Sequence, residues 1–222
     1  MPLMYNVGYK TEREVQMAVI TISRQMGSLG FHVAEEIALN KNYRLVWREV
    51  INEAATRAGV PEVALATIDE LDLLGLRPSV ADHKAYHKAV SEIMKELAEE
   101  GDIVIVGRAG QVILRDMPRV LHAQVYAPFE LRAERIALRH AVSIAAAREQ
   151  VKTSDQSRTR YLKRFYHSRW DDPDLYDLMI NSALLSSQGA ASVVCQALKA
   201  KLAGDKFGEG AAKTPGRNIP VE

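Results

Sequence analysis

Two short stretches of this chain combine glycine with groups that grip anions. The first is residues 23–32, S-R-Q-M-G-S-L-G-F-H. Glycines at 27 and 30 let successive backbone N–H groups turn towards one spot at the positive end of a following helix, which makes an anion nest. The pattern to compare is the phosphate loop, G-x-x-x-x-G-K-[ST]. This chain has the glycines, with no lysine after Gly30 and no Ser/Thr beyond it. A tight strand-to-helix turn that needs glycine only for its geometry uses the same residues. The second stretch is Gly107-Arg108-Ala109-Gly110. An arginine flanked by glycines suits a bidentate grip on phosphate, and it equally suits a surface ion pair with a carboxylate.

A third signal is charge. Residues 132–169 hold ten cations (Arg132, Arg135, Arg139, Arg148, Lys152, Arg158, Arg160, Lys163, Arg164 and Arg169) against Glu134, Glu149 and Asp155. That segment carries +7 in a chain whose net charge is +1, so the remainder is negative. A solvated helix face mixes signs. Concentration of one sign suits a lid closing over polyphosphate. RNA binding is the competing use, but Tyr161, Phe165, Tyr166 and Trp170 fall at core helical spacing rather than as a stacking platform.

These groups need a frame. Residues 17–23, M-A-V-I-T-I-S, form a β-branched apolar run ending where the glycines begin, as a buried parallel strand does. Leu29, Val33 and Ile37 then recur every fourth residue, predicting a helix. Val46, Val50 and Ala54 predict another, Pro61 opens a third towards Leu74, and residues 79–100 predict a long one stopped by Gly101. Strands are expected at 103–106, 120–127 and 176–180. Helices are expected at 128–139, 143–167 and 186–202. Alternating strands and helices predict a three-layer α/β/α domain with a parallel sheet, whose ligands lie beyond the strand carboxyl ends. Residues 1–16 read as an N-terminal extension, 17–202 as the domain, about 140–170 as its arginine-rich lid, and 203–222 as a disordered tail rich in Gly and Pro.

Composition narrows the classes. The 222 residues are 47% hydrophobic, with 29 Lys+Arg against 28 Asp+Glu. This excludes a wholesale polybasic nucleic-acid binder and an acidic disordered chain. One cysteine, Cys195, excludes an internal disulfide and a thiolate zinc site. No run approaches the roughly 20 apolar residues of a membrane span. With no secretory pattern at the start, a cytoplasmic location without membrane association is expected.

Taken in order, the pieces I-T-I-S-R-Q-M-G-S-L-G, I-V-I-V-G-R-A-G, A-P-F-E-L-R, D-Q-S-R and W-D-D-P-D-L-Y-D-L-M-I-N resemble the cytidylate kinase-like family of P-loop kinases. Family members often carry S-R-x-x-G-S-x-G in place of the lysine-containing loop. The resemblance implies the P-loop NTPase fold, ATP and Mg²⁺ as cofactors, and transfer of the γ-phosphate to a nucleoside monophosphate, CMP or dCMP first. It places Ser23, Gly27, Ser28, Leu29, Gly30, Phe31 and His32 around the donor phosphates. Gly107, Arg108 and, more loosely, Arg48 fall on the acceptor side. Arg132, Asp155 and Arg158 match lid positions, and Arg24 or a lid arginine must replace the lysine. The aspartate that follows the acceptor arginine in true cytidylate kinases is Ala109 here, and Trp47 stands where members commonly show an aspartate.

The metal ligands are left open, since Ser23 or Ser28 would have to replace the usual hydroxyl and imidazole at His32 suits magnesium poorly. His83 and His87, four apart on one helix, are expected to be exposed rather than metal-bound. Cys195 is expected in the core, and Asp171-Asp172-Pro173 as a turn. Rival readings are a nucleotide-binding regulatory protein without transfer activity and a kinase of another small phosphate acceptor.

Overall fold

The structure, a computed structural model, describes residues 17–47, 49–59 and 80–204. Arg48, the helix expected from Pro61, the N-terminal extension and residues 205–222 of the expected tail all lie outside them, whereas residues 203–204 belong to the last helix. The apolar run predicted at the start is strand β1, Val19–Arg24, and it is the centre of the sheet. Helix α1, Gly30–Lys41, leads to a short strand β2, Arg44–Val46, and helix α2, Glu49–Ala58. Helix α3, Val80–Glu100, precedes strand β3, Ile103–Val106, and the one-turn helix α4, Gly110–Ile113. Strand β4, Val120–Tyr126, helices α5, Phe129–His140, and α6, Ile144–Tyr166, a 3₁₀ turn at Pro173–Leu175, strand β5, Leu178–Asn181, and helix α7, Ser187–Gly204, complete the order.

All pairings are parallel, in the order β2-β3-β1-β4-β5. The period of two along the strands divides the core into layers. Ile103 and Ile105 join Val19, Val90, Ile93 and Met94 under α2 and α3. Val104 and Val106 join Ile20, Ile22, Val33, Ile37 and Val194 under α1 and α7. Because both faces are covered, β1 and β3 can be apolar almost throughout, as their sequences are.

One expectation is corrected. Val46 does not begin a helix with Val50 and Ala54; it ends β2, paired to Ile105, and the helix starts at Glu49. All three residues face one core layer, so a strand end followed by a helix mimicked a single periodic stretch.

The sheet has one functional edge. From β1 the chain crosses over to β2 and β3 on one side, and later to β4 and β5 on the other, so the strand order reverses around β1. Its carboxyl end is level with those of both neighbours, Ile22 opposite Val106 and Arg24 opposite Val125. Such a switch point leaves a crevice for a ligand.

Candidate active site

Residues 25–29 bridge β1 and α1 in a turn that admits few substitutions. Gly27 has φ +79°, and a Cβ there would lie 2.6 Å from the Arg132 carbonyl oxygen. The Ser28 hydroxyl donates to the Gln25 carbonyl at 2.9 Å, and the Gln25 side-chain oxygen accepts from the Ala127 N–H at 3.1 Å. Leu29, the residue before α1, is left-handed at φ 60°, offers no side-chain cap, and no acidic residue follows in the first turn. The first N–H groups of a 12-residue helix therefore lack a side-chain partner from its N-cap, and the dipole favours an anion there.

The end of β3 is just as constrained. Gly107, Arg108 and Ala109 are all left-handed, at φ 80°, 58° and 56°. Two non-glycine residues in that region cost roughly 1–2 kcal/mol each, strain of the kind that gathers at functional sites. The Gly107 N–H donates to the Ile22 carbonyl at 3.0 Å, holding this turn against β1. Arg108 is 4% exposed and lies beside Tyr161, whose hydroxyl is held well above its ordinary pKa, chiefly by burial. A cavity of about 10 Å³ lies between the end of β1, the turn after β3 and α6, lined by Ser23, Arg24, Gly107, Ala109, Gln111 and Arg158, among others. That is room for about one water.

Ser23 forms the floor of this cavity. Its hydroxyl accepts from the Trp170 indole N–H at 2.9 Å and lies 3.3 Å from the Tyr176 hydroxyl. Burial pushes the Tyr176 phenol up to about 12, so it remains a donor. Both aromatics come from the W-D-D-P-D-L-Y stretch, in which the sequence predicts Trp170 as core and gives Tyr176 no role at the site.

The arginine-rich segment proves to be largely engaged. Arg132 is 3% exposed. It donates Nε to the Ala127 carbonyl at 3.0 Å and Nη1 to the Met26 carbonyl at 3.3 Å, and it grips Asp155 with both terminal nitrogens at 3.0 and 2.8 Å. Arg135 donates to the Gly27 carbonyl and to Ser182. Arg158 donates to the Ser154 hydroxyl and lies over the Trp170 ring at 5.7 Å, still lining the cavity. Arg148 pairs with Glu130 and Arg169 with Asp171. Tyr161 and Trp170 are buried in a cluster with Ala109, Leu162 and Leu175, so these rings are core and do not form a base-stacking surface.

Other expectations sort as follows. His32 is exposed, 3.4 Å from an Arg139 nitrogen and 3.9 Å from Glu35, on the helix flank. His87 is half-buried rather than exposed, because its ring packs on Phe165 at 4.1 Å between centroids. Asp172 caps the 3₁₀ turn through the Asp174 N–H, and Cys195 packs half-buried against the core layer under α1 and α7. Phe31 and Trp47 stack on each other, centroids 4.8 Å apart.

The residues fit a polyphosphate, with uncapped N–H groups at the start of α1 and two arginines, Arg24 and Arg158, lining the cavity at the end of β1. Magnesium on a nucleotide takes most of its oxygens from phosphates and water; the hydroxyls the turn offers, Ser23 and Ser28, are both in internal hydrogen bonds, and no group of three His, Cys, Asp or Glu converges among the described residues. No helix among the described residues is long and apolar enough to cross a membrane.

A parallel sheet with a glycine turn from its central strand into a helix, and arginines at the neighbouring strand end, defines a P-loop kinase-like phosphotransferase fold. The chain belongs to the cytidylate kinase-like family, whose profile matches residues 19–184. It is 25% identical over 189 residues to a cytidylate kinase of Methanopyrus kandleri, covering 81% of this chain and 92% of that one. To a cytidylate kinase of Methanocaldococcus jannaschii it is 26% identical over 183 residues, 81% and 97% of the two chains. Among solved structures it is similar to an uncharacterized protein from Eubacterium ventriosum, at TM-score 0.66 and 22% identity, covering 82% and 98% of the two chains.

Proposed function

We propose that this chain transfers the γ-phosphoryl group of ATP to a nucleoside monophosphate, with CMP or dCMP the first candidates. The observation that carries the reading is the cavity where Ser23 and Arg24 at the end of β1, Gly107 and Ala109 of the strained turn after β3, and Arg158 from α6 meet. The cytidylate kinases among its relatives support the choice of acceptor.

In this reading an acceptor phosphate oxygen attacks the γ-phosphorus, and the bond to the β–γ bridging oxygen breaks, releasing ADP. The reaction needs positioning and charge neutralisation more than covalent help. Backbone N–H groups of residues 27–31 hold the donor phosphates. Arg108, with Gly107 allowing close approach, orients the acceptor. Arg158 closes from α6 as charge develops on the transferring oxygens. Arg132 and Asp155 act as a tether between the glycine turn and α6, since their polar atoms are already spent on each other and on Met26 and Ala127.

Nucleotide pockets run to hundreds of cubic ångströms, far more than the roughly 10 Å³ of this cavity, and in this reading α6 moves to admit substrate. The segment 140–170 then serves as the lid. The regulatory reading is argued by the missing loop lysine and by Ala109.

The test is transfer from ATP, with and without magnesium, to CMP, dCMP, UMP, AMP and GMP, followed by phosphorus NMR. A new diphosphate from one acceptor is the expected result and names the substrate. Silence across the panel with ATP still bound would replace the transferase reading by the regulatory one.

A further inference from the structure

The loop that lacks a lysine carries a cation at its other end, and the geometry shows why. Laid on the structure, the eight positions of G-x-x-x-x-G-K-[ST] run from the last residue of β1 into the first turn of α1. With the lysine at the first helical residue, Arg24 takes the first glycine's position, Leu29 the second glycine's, Gly30 the lysine's and Phe31 the hydroxyl's. The backbone supports this register, one residue earlier than the one read from the sequence. Leu29 is the left-handed residue at φ 60°, as a glycine there would be, whereas Gly30 is already helical. The motif's two ends have therefore exchanged residue types. Where a lysine loop begins with glycine and ends with a cation, this one begins with a cation and ends with glycine.

The exchange is visible in space. A Cβ on Gly30 would fall on the Arg24 Cβ, well inside the 3.0 Å that real Cβ contacts keep, and 3.3 Å from its Cγ. The Arg24 stem occupies the ground over which a lysine at position 30 would start. Only one of the two positions can carry a side chain. Arg24 is half-buried and lines the same cavity as Gly107 and Arg158.

We propose that Arg24 is the relocated loop cation, whose guanidinium binds the β- and γ-phosphates, and that position 30 is glycine because Arg24 needs its space. This rests on the nucleotide-binding reading above and assigns the part of the site that reading left undecided. A guanidinium can take two phosphate oxygens at once, so the change is more than a shift of a point charge.

Arg24→Met keeps the stem and removes the charge. Calorimetry with ATP and with inorganic tripolyphosphate, on protein shown by thermal melting to be folded, should show both ligands weakened by about 10- to 100-fold, the loss of one or two charge-assisted hydrogen bonds. Gly30→Lys alone should lose binding and melt lower, because its side chain meets the Arg24 stem. The double variant R24G/G30K should regain ATP affinity to within a few-fold of the parent protein. If the parent binds ATP and Arg24→Met binds it equally well, the relocated cation is overturned and the nucleotide reading stands. If the parent binds neither ATP nor tripolyphosphate, the nucleotide reading falls and takes this assignment with it. Arg24→Met decides the matter by itself should the double variant fail to fold.

Discussion

Removing either partner of the Arg132–Asp155 pair should cost far more than a surface ion pair would. Arg132 is 3% exposed, and the side chain of Asp155 is 25% exposed. Breaking a buried pair by deleting one partner typically costs about 3–5 kcal/mol, because the survivor is left charged and dry. Some water reaches Asp155, so Asp155→Ala belongs near the lower bound, about 3 kcal/mol. Arg132→Met also strips the donors from the Ala127 and Met26 carbonyls, adding roughly 1 kcal/mol for each bond. The double variant has no orphaned charge and should be little worse than Arg132→Met alone. A double-mutant cycle should therefore return a coupling of about 2–3 kcal/mol, read from urea unfolding midpoints at constant slope. Because the pair ties Met26 to α6, both single variants should also bind ATP more weakly than the parent. Single-variant losses below about 1 kcal/mol, or strict additivity, would refute the tether. Unchanged stability with abolished transfer would instead return Arg132 to the reacting phosphates.

Two further outcomes follow from the same geometry. Gly27→Ala should lower stability by at least about 2 kcal/mol, combining the cost of a left-handed alanine with a clash 2.6 Å from the Arg132 carbonyl; a melting curve within half a degree of the parent would show the loop tolerates a side chain. His122 is buried on β4 with Nδ1 2.7 Å from the Thr21 hydroxyl, and burial, outweighing the pull of Asp177, pushes its pKa from 6.5 down to about 4. Between those values the unfolded chain binds the proton and the folded one refuses it. Its contribution is thus complete above pH 6.5 and lost as the pH falls towards 4, worth about 3 kcal/mol in all. Unfolding midpoints of the parent and His122→Asn at pH 7.5 and 5 should diverge in slope, and parallel profiles would remove His122 as the cause.

Local signals carried much of this molecule because its central strands, β1, β3 and β4, are buried on both faces. Residues 103–106 read as a strand and are one, since an unbroken β-branched run bounded by glycine has few other uses. Helices at 80–100 and 144–166 follow from apolar residues at helical spacing. The two glycine turns after β1 and β3 were also legible as turns, because left-handed and closely packed backbone selects glycine before any fold exists. Strand β2 was not. Three residues are too few for a pattern, and only pairing to β3 makes Arg44–Val46 extended.

Charge shows the same division more sharply. Counting residues finds an excess of cations at 132–169, yet a count cannot tell a guanidinium held by Asp155 from one lining a cavity. Gly30 likewise matches a motif glycine when read along the chain. Its meaning changes once β1 and α1 come together and the Arg24 stem is found where a side chain at position 30 would lie. Residue type and local spacing are properties of the chain, whereas the competition of two side chains for one volume exists only after folding.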